Sequence, residues 1–259
     1  MSEAIHNGSG IHKGLDEVAM SGGDVTSSAE EHTTSGAPNR KKLCKKLVLA
    51  VTGSVGAAVE IPRFSFLLRR MFVEELVIVL STSAQRFVSP YVATICAGRP
   101  AVTDAETTDP YLVPHVQVTK GADLLLVMPA TANILAKAAH GIADEIVSAT
   151  ILAALCPVAF VPNMNGAMWA NAATRANILR LKEFGHHIVE PTWGTEVATL
   201  EQTFGAMPAF SQILRSVASA VKVQGLEAQR AGSCRETVSG ICAASASPSR
   251  AYSSEEAPL

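Results

Sequence analysis

The stretch Lys46–Gly56, KLVLAVTGSVG, decides the fold. Its first part, KLVLAV, is a short apolar run of the kind that forms a strand buried on both faces. The polar turn Thr52-Gly53-Ser54-Val55-Gly56 follows, and a helical pattern then continues to about Arg70. A buried strand that enters a helix through a glycine-containing turn predicts a β-loop-α unit.

The same unit recurs along the chain, and a short last strand is expected at His187–Val189. The other strands and their loops are Leu76–Leu80 with Ser81-Thr82-Ser83, Leu124–Met128 with Pro129-Ala130-Thr131-Ala132-Asn133, and Val158–Val161 with Pro162-Asn163-Met164-Asn165. Repeated units with right-handed crossovers predict an α/β fold built on a doubly wound parallel sheet. In such sheets a ligand binds beyond the carboxyl ends of the strands.

Composition narrows the classes of function. Hydrophobic residues make up 48% of the 259 residues, charged residues only 17%, and the net charge is −2. This balance gives no reason to expect a nucleic-acid partner. No run of about 18 apolar residues predicts a membrane span, and the start of the chain lacks the apolar segment of a secretory signal.

The five cysteines are scattered and form no CxxC pair. An odd number of isolated cysteines is typical of a reduced cytoplasmic protein, with neither a disulfide scaffold nor a zinc site. Residues 1–42 and 224–259 are rich in small and polar residues, so we expect two disordered tails around a single folded domain at 43–223.

The loop after the first strand has two interpretations. Gly53 permits close approach of the backbone, Ser54 supplies a hydroxyl, and the helix that follows offers free N–H groups to a phosphate. Alternatively, this is an ordinary tight turn in which Ser54 caps the helix. The turn is not GxGxxG, and no acidic residue ends the second strand, which argues against a dinucleotide dehydrogenase.

The other loops are equally open to a functional or a structural interpretation. The hydroxyls of Ser81 and Ser83 could bind phosphate and Phe87 an aromatic ring, or they could serve as helix caps and core. His115 is a general base if it faces the cleft, and otherwise a structural histidine. Asn165 can bind a carboxylate or an amide without adding charge. Met164, Met168 and Trp169, which surround it, could equally belong to the core.

Four motifs together resemble those of the homo-oligomeric flavin-containing cysteine decarboxylases. That family has a Gly-Ser turn, an active-site His, a PASANT motif and a PxMNxxMW motif. The corresponding residues are Gly53-Ser54, His115, Pro129-Ala130-Thr131-Ala132-Asn133-Ile134 and Pro162-Asn163-Met164-Asn165-Gly166-Ala167-Met168-Trp169. The resemblance covers about Lys45 to Ala209. PxMNxxMW matches in full, whereas Ile134 replaces the Thr of PASANT and removes one hydroxyl.

The resemblance implies a Rossmann- or flavodoxin-like flavoprotein with FMN as the usual cofactor and FAD as an alternative. It implies a homo-trimer or homo-dodecamer with the flavin between subunits. His115 would be the base, Asn165 would hold the carboxylate or amide of the substrate cysteine, and Met168 would pack beside flavin and substrate. The residues implied to contact the flavin are Gly53, Ser54, Val55, Ser81, Ser83, Phe87, Thr131, Ala132, Asn133 and Asn163.

The substrate flap, about Trp193–Phe210, distinguishes the branches of this family. Phosphopantothenoylcysteine decarboxylases reduce their enethiol with a flap cysteine six residues before a Gly-x-Met. Here Gly205-Ala206-Met207 follows Thr199 at that spacing. A hydroxyl cannot supply the electrons, so the resemblance favours the peptidyl-cysteine decarboxylases of lantibiotic biosynthesis, whose partner is a precursor peptide ending in cysteine.

Two alternatives stay open at this point. The first is a phosphopantothenoylcysteine decarboxylase whose reducing cysteine lies elsewhere. The second is a non-catalytic subunit like the relatives that inhibit protein phosphatases, although those often carry long acidic tails and the tails here are mixed in charge.

Overall fold

The computed structural model describes residues 42–104 and 113–221. Five parallel strands form one sheet in the order β2-β1-β3-β4-β5. The strands are β1 (Cys44–Val51), β2 (Val73–Leu80), β3 (Leu124–Ala130), β4 (Val158–Pro162) and β5 (His187–Ile188). The predicted doubly wound parallel sheet is therefore confirmed, and each strand lies where the apolar runs of the sequence indicate.

Seven α-helices, a 3-10 turn at Ala84–Arg86, a π-helical turn and one hairpin are the other elements with defined bounds in these ranges. The helices are α1 (Val55–Leu67), α2 (Pro90–Ala97), α3 (Pro114–Thr119), α4 (Ala132–Ala139), α5 (Ile146–Leu152), α6 (Gly166–Ala170) and α7 (Ala172–Glu183). A π-helical turn at Leu68–Phe72 joins α1 to β2, and residues 210–221 are helical. The antiparallel pair β6 (Thr192–Thr195) and β7 (Gln202–Ala206) stands apart from the main sheet.

The sheet is buried on both faces. In β1, residues 47–51 have no exposed surface, and their side chains alternate between two apolar clusters. Leu47 and Leu49 face a cluster with α1, α2 and the helical residues 210–221, whereas Val48 and Ala50 face one with α4, α5 and α7. This two-sided burial explains why β1 reads as a continuous apolar run rather than as an alternating one.

The strand order places the loops after β1 and β3 side by side. The chain passes from β1 to β2 on one side and returns to β3 on the other side of β1, so the order reverses between β1 and β3. Open α/β sheets bind their ligands at this switch point, beyond the carboxyl ends of the strands. The loops that begin at Thr52 and Thr131 flank it.

Several expectations fall on residues outside the described ranges. The two tails predicted to be disordered lie almost wholly there, so their disorder and the limits 43–223 for the domain stay predictions. Within residues 42–104 and 113–221, no helix is both long enough and apolar enough to cross a membrane.

Candidate functional site

A cavity of about 210 Å³ opens at the carboxyl ends of β1 and β4, beneath the β6–β7 hairpin. We call it the site cavity. Three segments contribute to it: the start of α1, the loop after β4, and the hairpin. Its lining residues are Ser54, Val55, Gly56, Asn163, Met164, Asn165, Thr195, Glu196, Val197, Ala198, Thr203 and Ala206.

Asn163 joins the first two of these segments. Its amide nitrogen donates to the Ser54 hydroxyl over 2.7 Å, and its amide oxygen accepts from the backbone N–H of Met207 over 3.3 Å. Gly56 leaves room for this amide, because a Cβ at that position would lie 2.7 Å from the Asn163 nitrogen. Ser54 is the N-cap of α1 but makes no side-chain capping bond. The first-turn N–H groups of α1 therefore donate no hydrogen bond to the Ser54 side chain.

The hairpin is fixed to the loop after β4 by hydrogen bonds that backbone N–H groups of that loop donate. The N–H of Met164 donates to the carbonyl of Gly205 over 3.0 Å, and the N–H of Gly166 donates to the Thr203 hydroxyl over 2.9 Å. Gly205 has a φ of +140°, which a side chain would strain. Phe204 packs near Trp169 from the other side, with ring centroids 6.2 Å apart. The hairpin is thus a docked element and not a free loop.

Asn165 has one half of its amide occupied and the other half available. Its side-chain oxygen caps the short helix α6 by accepting from the N–H of Met168 over 2.8 Å. Its amide nitrogen makes no hydrogen bond to another described residue. Asn165 itself lines the site cavity. Two N–H donors in a cavity can bind a carboxylate.

The loops after β1 and β3 are joined by a buried threonine that the sequence analysis missed. The Thr52 hydroxyl donates to the carbonyl of Pro129 over 2.7 Å and accepts from the N–H of Thr131 over 3.2 Å. Thr131 in turn caps α4 through a 3.4 Å bond from the N–H of Ile134. Ala132 is half-buried and Asn133 exposed beside this junction. Only the position of Thr52, directly before the Gly-Ser turn, could have pointed to its role.

The loop after β2 meets the loop after β1. A Cβ at Gly53 would lie 2.6 Å from the Cβ of Ser83, so glycine permits the contact. Ser81 is buried, and its hydroxyl accepts from the N–H of Ala84 over 3.0 Å, which is the structural alternative considered for it. Phe87 is 37% exposed and therefore does not belong to the core.

A second residue that the sequence did not reveal in this region is Asp104. One carboxylate oxygen of Asp104 accepts from the Thr82 hydroxyl over 3.1 Å, and the other accepts from the N–H of Ile146 over 2.6 Å. It ties the loop after β2 to the start of α5. Nothing in the local sequence marks this residue, because both partners are distant along the chain.

His115 does not line the site cavity. It is half-buried and lies in the first turn of α3. Val113 and Val116, on either side of it, are 45% and 49% exposed. Met168 also lies outside the cavity lining and is exposed, whereas Trp169 is buried. The structure thus brings together Ser54, Val55, Asn163 and Asn165, but not His115 or Met168.

The residues around the strand ends fit a phosphate-bearing flavin. The start of α1, Ser54 and the exposed Ser83 place N–H and hydroxyl donors where three loops meet, as a phosphate requires. The exposed ring of Phe87 and the polar groups of Thr131 and Asn133 suit an aromatic heterocycle with amide edges. Gly53 and Gly56 keep the loops close together.

The comparison with protein families agrees with this geometry. The profile of the Flavoprotein family matches residues 35–222. The chain belongs to this family. Among curated proteins, the coenzyme A biosynthesis bifunctional protein CoaBC of Mycobacterium tuberculosis is 33% identical over 68% of this chain and 41% of its own length. The probable phosphopantothenoylcysteine decarboxylase of Streptococcus mutans is 36% identical over 58% of this chain and 84% of its own. The chain spans about two fifths of the length of the CoaBC proteins it matches.

Solved structures place the chain within this family more closely. The FMN-dependent cysteine decarboxylase SpaF is 37% identical, with a TM-score of 0.58 over 68% of this chain and 97% of SpaF. EpiD in complex with the substrate peptide DSYTC is 26% identical, with a TM-score of 0.60 over 67% and 98% of the two chains. A cysteine-to-serine variant of PPC decarboxylase, complexed with pantothenoylaminoethenethiol, matches with 26% identity and a TM-score of 0.60 over 68% and 97%. The chain therefore belongs to the family of the flavin-dependent cysteine decarboxylases.

Proposed function

We propose that this flavoprotein decarboxylates the C-terminal cysteine of a precursor peptide to an enethiol, with FMN as its cofactor. The observation that carries the proposal is the composition of the hairpin that covers the site cavity. Its tip carries Thr199, and no cysteine occurs between Cys156 and Cys234. The enzyme has no flap thiol with which to reduce an enethiol.

The residues that would hold the flavin are those at the three converging loops. Gly53, Ser54, Val55, Ser81 and Ser83 would surround its phosphate, with the N–H groups of α1 as donors. Phe87, Thr131, Ala132, Asn133 and Asn163 would contact the rest of the cofactor. FMN is favoured over FAD because SpaF, which aligns over 97% of its length, is FMN-dependent.

A bound flavin would supply the two-electron oxidation that converts the CH–SH unit of the substrate cysteine to a thioaldehyde, and an external acceptor such as dioxygen would afterwards take those two electrons from it. The neighbouring carboxylate can then leave as CO₂, because the thiocarbonyl accepts the electron pair and becomes an enethiolate. Asn165 would bind that carboxylate through its available amide N–H groups and orient it. His115 would take up the proton that the oxidation releases, and Met168 would pack against the substrate.

A second copy of the chain completes the site in this proposal. His115 does not line the cavity of its own chain, and it stands between the exposed apolar side chains of Val113 and Val116. An apolar surface around a general base suits an interface between copies. A homo-trimer or a homo-dodecamer would bring His115 of one copy to the Asn165 of another.

The comparison with PPC decarboxylase supports the proposed end point. The PPC decarboxylase variant that lacks one cysteine holds pantothenoylaminoethenethiol, which is a decarboxylated and unreduced enethiol. Thr199 lies at the tip of the hairpin, and its hydroxyl accepts only from the N–H of Glu201 over 3.4 Å among described residues. Saturation of the enethiol would consume the two electrons held by the reduced flavin and a proton at carbon, and Thr199 has no thiol to donate that proton.

The deciding experiment is the mass of the product. A peptide ending in cysteine, incubated with the purified flavoprotein, should lose about 46 Da, the mass of CO₂ plus two hydrogen atoms. A peptide ending in serine is the control and should not change, because it has no thiol to oxidise. An unchanged cysteine peptide in the presence of bound flavin would contradict the proposal.

The second candidate function is phosphopantothenoylcysteine decarboxylation. It is favoured by the 36% identity with the Streptococcus mutans protein over 84% of that protein's length. The same assay with phosphopantothenoylcysteine distinguishes the two. A saturated cysteamine product from the small substrate, with no change in the peptide, would assign the chain to this branch.

A further inference from the structure

The tip of the β6–β7 hairpin, residues 196–201, is held in shape by its own backbone. The N–H of Glu196 donates to the carbonyl of Glu201 over 2.9 Å, and the carbonyl of Glu196 accepts from the N–H of Leu200 over 2.8 Å. Both backbone groups of Glu196 are therefore engaged. Its position at the mouth of the site cavity is set before any ligand binds.

Glu196 is the one ionisable residue among those that line the site cavity. It is half-buried, and its carboxylate makes no ion pair or hydrogen bond to another residue within 42–104 and 113–221. The hairpin sequence, residues 192–207, contains a second acid, Glu201, and neither Lys nor Arg. The cavity mouth is thus negatively charged, with no cation on the hairpin to balance it.

The distance between Glu196 and the substrate cysteine is limited by the cavity. Asn165, which the proposed function assigns to the cysteine carboxylate, lines the same volume of about 210 Å³. The hairpin cannot move independently of that asparagine, because Met164 and Gly166 bond it on either side of Asn165. Consecutive residues of a bound peptide advance by about 3.8 Å. A peptide that extends from Asn165 across this cavity would therefore bring the first or second residue before its cysteine near Glu196.

We propose that Glu196 selects precursor peptides with Lys or Arg at one of the two positions before the C-terminal cysteine. This inference rests on the proposed peptide decarboxylation. A partly desolvated carboxylate binds a cationic side chain through charge-assisted hydrogen bonds and repels an anionic one. The same repulsion acts against the phosphate of phosphopantothenoylcysteine.

The test compares three peptides of equal length that end in cysteine and carry lysine, methionine or glutamate at both preceding positions. Rates are measured with the flavin-bound full chain, and each variant's rates are divided by its own rate on the methionine peptide. Wild type should prefer the lysine peptide over the glutamate peptide by about tenfold or more in kcat/KM. Glu196→Gln should abolish this preference, and Glu196→Lys should reverse it.

The matched control is Glu201→Gln, which removes a carboxylate from the same hairpin tip but does not line the cavity. It should keep the wild-type preference. An equal preference in Glu196→Gln and wild type, or no preference in wild type, would overturn the role of Glu196. Such results leave peptide decarboxylation itself intact.

Calorimetric binding of the same peptides with serine in place of the cysteine separates the two proposals. A lysine preference in binding that disappears in Glu196→Gln, without any turnover of the cysteine peptides, would sustain the role of Glu196 and refute the proposed reaction. The absence of both turnover and charge-dependent binding would refute both proposals.

Discussion

The amide nitrogen of Asn163 donates to the hydroxyl of Ser54 over 2.7 Å, which joins two strand-end loops that lie 109 residues apart. The same side chain accepts from the N–H of Met207, at the end of the hairpin. One asparagine thus holds the start of α1, the loop after β4 and the hairpin in fixed relation. The shape of the site cavity depends on it.

Asn163→Ala should destabilise the protein and loosen its flavin. Two partly buried hydrogen bonds are lost, so the free energy of unfolding should fall by about 1–3 kcal/mol in urea titrations. Flavin release on dilution, followed by fluorescence, should become faster. Asn177→Ala is the control, because Asn177 lies in α7 and its side chain makes no hydrogen bond to another described residue. Equal stabilities of the two variants would argue against the joining role of Asn163.

Asn165→Asp should weaken substrate binding without unfolding α6. An aspartate caps a helix as well as asparagine does, so the bond from the N–H of Met168 is retained. The new carboxylate repels that of the substrate, and KM should rise by about tenfold or more. Asn171→Asp provides the control, because Asn171 caps α7 through the N–H of Ala173 in the same way but does not line the cavity. An unchanged KM in Asn165→Asp would remove the proposed carboxylate contact.

His115→Asn should keep the yellow colour of the bound flavin and lose turnover by about 10²–10⁴-fold, the range expected for a lost general base. His140→Asn, at an exposed histidine on the far end of α4, should leave kcat unchanged. Full activity in His115→Asn would refute its role as the base.

Mixing two impaired variants, at a peptide concentration well below the raised KM of Asn165→Asp, tests whether the site is shared between copies. If His115 of one chain serves the cavity of another, His115→Asn refolded together with Asn165→Asp should regain part of the wild-type rate. The regained sites would combine the intact Asn165 of the His115→Asn chain with the intact His115 of the Asn165→Asp chain. No recovery in mixed oligomers would restrict the site to a single chain.

The stability of the sheet should depend on pH through two histidines at β5. Burial lowers the pKa of His186 and His187 below the usual 6.5. The unfolded chain therefore binds protons more readily than the folded one, so stability is full above pH 6.5 and falls as the pH drops toward the lowered values. Urea titrations at about pH 7.5 and pH 5.5 should show this loss, on either side of the ordinary histidine pKa.

The matched variants for this prediction are His187→Gln and His140→Gln. Glutamine cannot titrate, yet it can still bond to the Ser216 hydroxyl, which lies 2.8 Å from Nε2 of His187. His187→Gln should therefore lose less stability between the two pH values than wild type, whereas His140→Gln should behave like wild type. The same loss in all three proteins would assign the pH dependence to other groups.

The sheet was predictable from sequence because its strands are buried on both faces. The runs Leu47–Val51 and Leu124–Met128 have no exposed side for a polar residue, so each appears in the sequence without interruption. The observed strands extend these runs by a few residues, as β2 does by starting at Val73. Gly185 follows α7 with a φ of +82°, the left-handed conformation that glycine favours just beyond the end of a helix.

The hairpin was not predictable from sequence in the same way. Strand β6 is only four residues long, contains Gly194 and lies outside the main sheet, so it lacks the alternation that marks a half-buried strand. Its position depends on docking to Met164 and Gly166, which local sequence does not encode. The part of the site that Asn163 and Asn165 contribute followed from a motif, whereas the contribution of Glu196 required the folded hairpin.

The strands of the hairpin anchor it to the rest of the protein, and its tip is the part proposed to recognise the substrate. Its strands are fixed to the loop after β4, largely through backbone groups, while the six tip residues 196–201 bond mainly to one another. We therefore expect that tip sequences can be exchanged between homologous enzymes with little effect on the parallel sheet. Under the proposed function, such exchanges would redirect oxidative decarboxylation to peptides of other sequences.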